Sequence, residues 1–170
     1  KLTPHVEKWG HRMLLIRYFE RLVSLYETSE DSQLDLPVVV KVLKVLAGLY
    51  VDAGRPREAT PLVEALRYYS LLERNKTLES FSQGKKAEIL LAFGSSEQAQ
   101  RLATRLTADP NPVLRAAHLA RLGHIYKERG DVEGAVHSYH ESSRLFKLHK
   151  QPIALLKSIE YLSEAYLQAG

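Results

Sequence analysis

Histidine is the residue type of this chain best suited to chemistry, and five of its seven histidines fall between positions 118 and 149. His137 and His140 stand three residues apart in a segment that we predict to be helical, so two imidazoles can approach one metal ion. No carboxylate completes a known ligand spacing with this pair, and His124 lies across a predicted turn. We therefore expect no metal site, and we interpret the histidines as solvated or partly packed side chains.

Motifs for a nucleophile or a phosphate are missing as well. No Gly-x-Ser-x-Gly sequence occurs, and the absence of cysteine excludes a thiol nucleophile, a thiolate zinc site and a disulfide. The run Gly84-Lys85-Lys86 lacks the upstream glycine and the preceding strand of a phosphate-binding loop, so we interpret it as an exposed basic helix edge. Ser95 or Ser96 is predicted to cap the helix that follows. We predict that the protein is not an enzyme and needs no cofactor.

The composition is that of an ordinary folded domain. The chain has 170 residues, of which 45% are hydrophobic and 26% charged. No segment approaches the run of about 18 apolar residues that a membrane span needs, and no apolar leader begins the chain, so we expect no contact with a membrane and a cytoplasmic location. The net charge of +4 comes from 24 basic and 20 acidic residues that are scattered along the chain. We therefore do not expect direct binding of nucleic acid.

The elements that must position these side chains are predicted to be helices. Apolar residues recur mostly three or four positions apart, and no segment of strand length alternates with period two. We predict a first helix over Pro4–Glu27 with Thr3 as its N-cap, then a loop over 28–33. A second helix over Leu36–Ala53 is predicted to end at Gly54.

Glycines mark an internal repeat. Gly54, Gly94, Gly130 and Gly170 recur with a period of about 40 residues, and each closes an apolar run of helical period. The middle interval, from Gly94 to Gly130, is slightly shorter than the other two. An alanine stands five positions after each of the first three glycines, at Ala59, Ala99 and Ala135. A glycine ends one helix and a small residue lets the next helix approach closely, so the repeat predicts an antiparallel helix hairpin.

The repeat resembles the tetratricopeptide repeat superfamily, and its period of about 40 residues is similar to that of the extended-helix variety. The match is best in one copy, at Leu122, Gly123, Tyr126, Gly130, Ala135, Tyr139 and Ser142. A second good copy contains Leu46, Ala47, Tyr50, Gly54, Ala59 and Val63. The copy around Gly94 departs from the pattern at residues 84–86, where the family has apolar residues.

The resemblance implies an all-α fold, a right-handed α-solenoid of antiparallel helix hairpins with about eight helices. Residues 1–35 are expected to form an N-terminal helix and loop that pack on the first repeat. The repeats are expected at 36–75, 76–108, 112–150 and, incomplete, 152–170. Because the chain lacks an initiator Met and stops at Gly170, we expect it to be a segment of a larger protein.

Apolar and aromatic residues give two further expectations. Most aromatic side chains are interpreted as core, among them Trp9, Tyr18, Phe19, Tyr68 and Tyr69, whereas Tyr161 is expected nearer the surface. An incomplete last hairpin leaves its first helix without a partner, so Ile159, Leu162 and Tyr166 are predicted to form an exposed apolar strip. Self-association through this end of the chain is a consequence.

Function is expected on the concave side of the superhelix, where the resemblance places the first helix of each hairpin. Residues that line this side are predicted to be Lys41, Lys44, Asp52, Arg121, His124, Lys127, Lys157, Glu160 and Glu164. We predict a non-catalytic scaffold that binds a peptide or helix of a partner protein there, and an acidic segment is favoured by the basic residues. The alternative is a ligand-sensing, regulatory repeat domain of a multidomain signalling protein or transcriptional activator.

Overall fold

The computed structural model of the protein describes residues 13, 16–21, 24 and 36–169. Within that part every regular element is α-helical, which confirms the predicted all-α class. Residues 16–21 are helical, and seven further helices have defined bounds: α1 Leu36–Asp52, α2 Pro56–Leu72, α3 Lys76–Ala92, α4 Ser96–Leu106, α5 Pro112–Glu128, α6 Val132–Leu148 and α7 Pro152–Ala169. The predicted N-cap Thr3, the predicted start at Pro4 and the predicted loop at 28–33 lie outside the described residues.

The chain divides into two compact units, the first ending at Asn75 and the second beginning at Lys76. In the first unit α1 packs on α2, and the buried side chains of this pair include Leu46, Ala59 and Val63. Glu20, from the helical residues 16–21, accepts a hydrogen bond from the Tyr50 hydroxyl of α1. Burial, together with this hydrogen bond, raises the pKa of Tyr50 to about 12. The contact ties the N-terminal helical residues to the first hairpin.

The second unit is a stack of five helices in which each helix packs on the next one along the chain. In addition α3 packs on α5, so the first helices of two successive hairpins are neighbours. The apolar core is a series of small clusters and not one central core. One joins α3, α4 and α5, and two further clusters join the hairpin α5–α6 to α7. This is the arrangement of an α-solenoid, in which each hairpin buries its apolar face on its neighbour.

Five of the turns between helices share one backbone geometry. In each of them one residue has a positive φ, and the next amide donates to the carbonyl five positions before it. These bonds are 2.8 to 2.9 Å long, and they satisfy a carbonyl that the helix end would leave free. The residues of positive φ are Gly54, Arg74, Gly94, Gly130 and Lys150. The predicted glycine turns are therefore present at 54, 94 and 130, and non-glycine residues make the same turn between hairpins.

The connection from α4 to α5 differs from the others. Helix α4 has 11 residues where each neighbouring helix has 17, and the segment 107–111 then leads into α5. Asn111 caps α5, since its side chain accepts hydrogen bonds from the amides of Val113 and Leu114. Because the helix is shortened by more than the connection is lengthened, Gly94 and Gly130 are closer in sequence than the other glycine pairs.

Small residues stand where helices cross, as the repeat pattern predicts. Ala135 is fully buried in the cluster that joins α6 to α7. Gly123 of α5 faces the ring of Tyr139 of α6 so closely that an added Cβ atom would lie 2.9 Å from two ring carbons. Ser142 is buried and donates its hydroxyl to the carbonyl of Ala116. These contacts hold α5 and α6 at close distance.

Several local predictions were wrong. Of the two predicted caps of α4, Ser95 and Ser96, Ser95 occupies the N-cap, but its side chain makes no capping hydrogen bond. Its backbone amide donates to the carbonyl of Leu90. Tyr18 and Tyr68 are exposed and not part of the core, while Trp9 lies outside the described residues. Tyr161 is half-buried, with its ring centroid 5.6 Å from that of Tyr139, because it faces α6.

Candidate protein-interaction wall

Charged side chains connect the first helices of the second unit, α3, α5 and α7. Arg121 of α5 donates from Nε to Glu88 Oε1 of α3 over 2.5 Å. Lys127, nearly two turns further along α5, lies 2.8 Å from Glu164 Oε2 of α7. Both ion pairs lie on the side of α5 that bears His124, because residues three positions apart share a helix face. We call this surface the first-helix wall, and we define it by Lys85, Glu88, Arg121, His124, Lys127 and Glu164.

The charges of the wall are largely neutralised within the protein. Glu88 also accepts from Lys85 Nζ over 2.6 Å, so one carboxylate serves two cations. Burial acts to raise the pKa of Glu88, but the cations Arg121 and Lys85 outweigh it and hold this pKa below its usual value. Glu88 therefore stays ionised, and neither Arg121 nor Lys127 offers an unpaired charge to a ligand.

The structure brings only some of the nine predicted wall residues together. Lys127 and Glu164 are in direct contact, while Arg121 and His124 flank them on α5, with His124 exposed. On α7, Lys157 and Glu160 are also exposed, and Lys157 Nζ lies 5.8 Å above the ring of Tyr161.

The other three predicted residues belong to α1 in the first unit. Lys41 and Asp52 are exposed, and Lys44 is half-buried. Lys41 and Asp52 are three helical turns apart and therefore lie on the same face of α1. This face and the first-helix wall belong to separate compact units.

Sequence reasoning missed a buried cluster next to the wall. His118 is predicted, with the other histidines, to be solvated or partly packed, yet it is completely buried, with Nε2 2.8 Å from Ser80 Oγ and Nδ1 3.3 Å from Arg121 Nη1. The run at 84–86, predicted as an exposed basic edge, is also part of the packed structure: Gly84 is buried and Lys85 pairs with Glu88. Gly84 breaking the apolar pattern of α3 was the signal for this close approach.

In the described part of the chain, no group of three or more histidine, cysteine, aspartate or glutamate residues is arranged to hold a metal ion. None of the helices described is both long and apolar enough to cross a membrane. His140 Nδ1 lies 3.7 Å from Glu141, which itself is engaged by Arg144.

Comparison with known proteins gives few matches. No protein-family model and no curated protein matches the chain. A solved structure titled "Crystal structure of MamA" matches 99% of this chain and 95% of that chain, with 16% sequence identity and a TM-score of 0.46. The shared turns and the small residues at helix crossings give the chain a helical-repeat fold that is similar to tetratricopeptide repeats.

Proposed function

We propose that the protein is a non-catalytic interaction scaffold that binds a segment of a partner protein along the first-helix wall. The observation that supports this most is that two ion pairs connect the first helices. Arg121–Glu88 joins α5 to α3, and Lys127–Glu164 joins α5 to α7. Side chains that are fixed by such pairs lose little conformational entropy when a ligand binds, which favours recognition of an extended or helical segment.

The pairing of charges also changes the expected chemistry of the ligand. The prediction of an acidic segment counts Arg121 and Lys127, together with Lys41 and Lys44, as available cations, but the first two already contact carboxylates. The side chains beside them include His124, Glu128 and Glu160, all of which are exposed. A segment with side chains of both signs, basic groups facing the two glutamates, fits this surface better than a purely acidic one.

The experiment selects ligands from a random peptide library displayed on phage, with the full chain as bait. The peptides recovered are then titrated against the double variant His124→Glu with Glu160→Lys, which changes only exposed side chains on or beside the wall. We expect the association rate to fall by about tenfold, because exposed charges act mainly on encounter. The dependence of binding on salt should change with it.

A matched control places the same kind of change on the second helices. Arg105 of α4 and Lys147 of α6 are both exposed, so Arg105→Glu with Lys147→Glu alters charge without touching the first-helix wall. This variant should bind the selected peptides with nearly the affinity of the parent. Equal loss in the two variants, or a selection that yields no peptide, would show that the wall is not the binding surface.

A further inference from the structure

A buried polar joint connects the hairpin α3–α4 to the hairpin α5–α6. Its centre is His118 of α5, whose side chain is inaccessible to solvent. Around it stand polar side chains that are themselves mostly buried, from α3, from the α4–α5 connection and from α5. We call this set the His118 joint, and it consists of Ser80, Lys85, Glu88, Asp109, His118 and Arg121.

Only one assignment of donors and acceptors is consistent with the hydrogen bonds of the His118 joint. A guanidinium group only donates, so Nδ1 of His118 must accept from Arg121. The proton of the neutral imidazole is then on Nε2, which donates to Ser80 Oγ. The Ser80 hydroxyl in turn donates to the carboxylate of Asp109. His118 and Ser80 therefore each use one donor and one acceptor, and the chain of bonds is complete only while His118 is neutral.

Close approach of α3 makes this arrangement possible. A Cβ atom on Gly84 would lie 3.0 Å from the guanidinium carbon of Arg121 and 3.0 Å from Cε1 of His118. The glycine thus leaves the space that the two side chains occupy against the backbone of α3. The His118 joint is therefore a packed, mostly buried contact between two hairpins and not a pair of side chains on the surface.

Protonation of His118 is incompatible with these contacts. An imidazolium carries a proton on Nδ1 as well. The N–H groups of His118 and Arg121 would then face each other across 3.3 Å, and two positive charges would be adjacent. Burial and then Arg121 lower the pKa of His118 to about 4, although the carboxylates of Asp109 and Glu88 act in the opposite direction. The charged groups facing His118 from α3, α5 and the connection are these three, with Lys85 behind Glu88.

We propose that the His118 joint is an acid-operated latch between successive hairpins: it holds α3 against α5 while His118 is neutral and releases α3 when His118 takes up a proton. Release separates Glu88 from Arg121 and so opens one side of the first-helix wall. The latch is a property of the joint itself and holds whether or not the wall binds a peptide.

The direction of the pH effect follows from proton linkage. In the released state His118 is solvated and has an ordinary pKa near 6.5, whereas in the closed state its pKa is about 4. The released state therefore binds more protons between these two values, and acidification favours it. The equilibrium constant for opening should increase by about tenfold for each pH unit in that window.

Hydrogen exchange on the ligand-free chain tests this directly. Amide exchange is followed by mass spectrometry between pH 6.5 and pH 5 and corrected for the intrinsic pH dependence of exchange, so that opening constants are compared. We expect opening of α3 to increase by about tenfold per pH unit, while amides of α6, remote from the joint, change little. In the neutral variant His118→Gln the dependence on pH should disappear from α3.

A second measurement uses only the unaltered protein, so it does not require that a variant folds. The imidazole resonance of His118 is titrated by NMR in the unaltered protein. His118 should titrate near pH 4, about two pH units or more below the ordinary histidine pKa near 6.5. Titration of His118 at the ordinary histidine pKa near 6.5, equal pH dependence of α3 and α6, or an unchanged dependence in His118→Gln would each overturn the proposal.

Discussion

Gly123 shows how a single missing side chain holds two helices together. Because a Cβ atom at this position would lie 2.9 Å from ring carbons of Tyr139, Gly123→Ala should push α5 and α6 apart. We expect the free energy of unfolding to fall by about 1 to 3 kcal/mol, measured by urea denaturation.

Gly48 is the matched control for this substitution. It lies within α1, and among the described residues nothing beyond its chain neighbours and the backbone of α1 comes within 4 Å of an added Cβ. Gly48→Ala should therefore raise stability by up to about 1 kcal/mol, the usual gain in helix propensity. A Gly123→Ala variant as stable as the parent would show that the close crossing of α5 and α6 is not needed.

Sequence reasoning predicted the positions of small residues well and the partners of buried charged residues poorly. Gly123, Ala135 and Ser142 follow from the repeat pattern, since each copy needs a small residue where its helices cross. The partners of His118 and Arg121 are 38 and 33 positions away in the chain, at Ser80 and Glu88. No local pattern specifies such pairs, because they depend on how one hairpin is seated on the next.

Among the elements, the turns between helices carry removable strain. Lys150 adopts φ 53° between α6 and α7, a left-handed conformation in which a Cβ atom is crowded. Lys150→Gly should relieve that crowding and raise the free energy of unfolding by roughly 1 kcal/mol. Lys147→Gly, one turn earlier inside α6, should lower it by about the same amount. Equal effects of the two substitutions in thermal denaturation would contradict this account.

Residue type predicted some of these turns but not the others. Three of the five shared turns were predicted because glycine occupies the residue of positive φ. The turns at Arg74 and Lys150 have the same backbone but no glycine, so composition gave no signal for them. Their positions follow only from the spacing, since Arg74 stands midway between Gly54 and Gly94, and Lys150 follows Gly130 at the same interval.

In the molecule as a whole, helix α7 presents an uncovered apolar strip. The prediction for Ile159 and Tyr166 is confirmed, as both are exposed, whereas Leu162 is half-buried against the cluster of Tyr139 and Ala165. Further exposed members were not foreseen, and the strip as observed contains Ile153, Leu156, Ile159, Tyr166 and Leu167. The position on α5 that corresponds to Leu156 one repeat earlier is the buried Ala116, which belongs to a cluster with residues of α6.

An apolar strip of this kind should cause self-association at high protein concentration. We expect the double variant Leu156→Lys with Leu167→Lys to reduce the weight-average mass in sedimentation equilibrium and to bind less of a hydrophobic dye. Phe93→Lys, which removes an exposed apolar side chain outside the strip, serves as the control and should change neither. If the unaltered chain is monomeric at every concentration, the strip does not mediate association.

The common turn geometry determines which insertions or duplications the stack of helices accommodates. Turns at 54, 74 and 94, and again at 130 and 150, are evenly spaced, so one helix with its turn is the smallest unit that can be duplicated without a new connection. An insertion of that size reverses the direction of every later helix and exchanges the helices that form the two sides of the stack. Duplication of a whole hairpin preserves the sides. A surface formed by the first helices alone is therefore kept only when the chain gains or loses whole hairpins, although the backbone is assembled from units half as long.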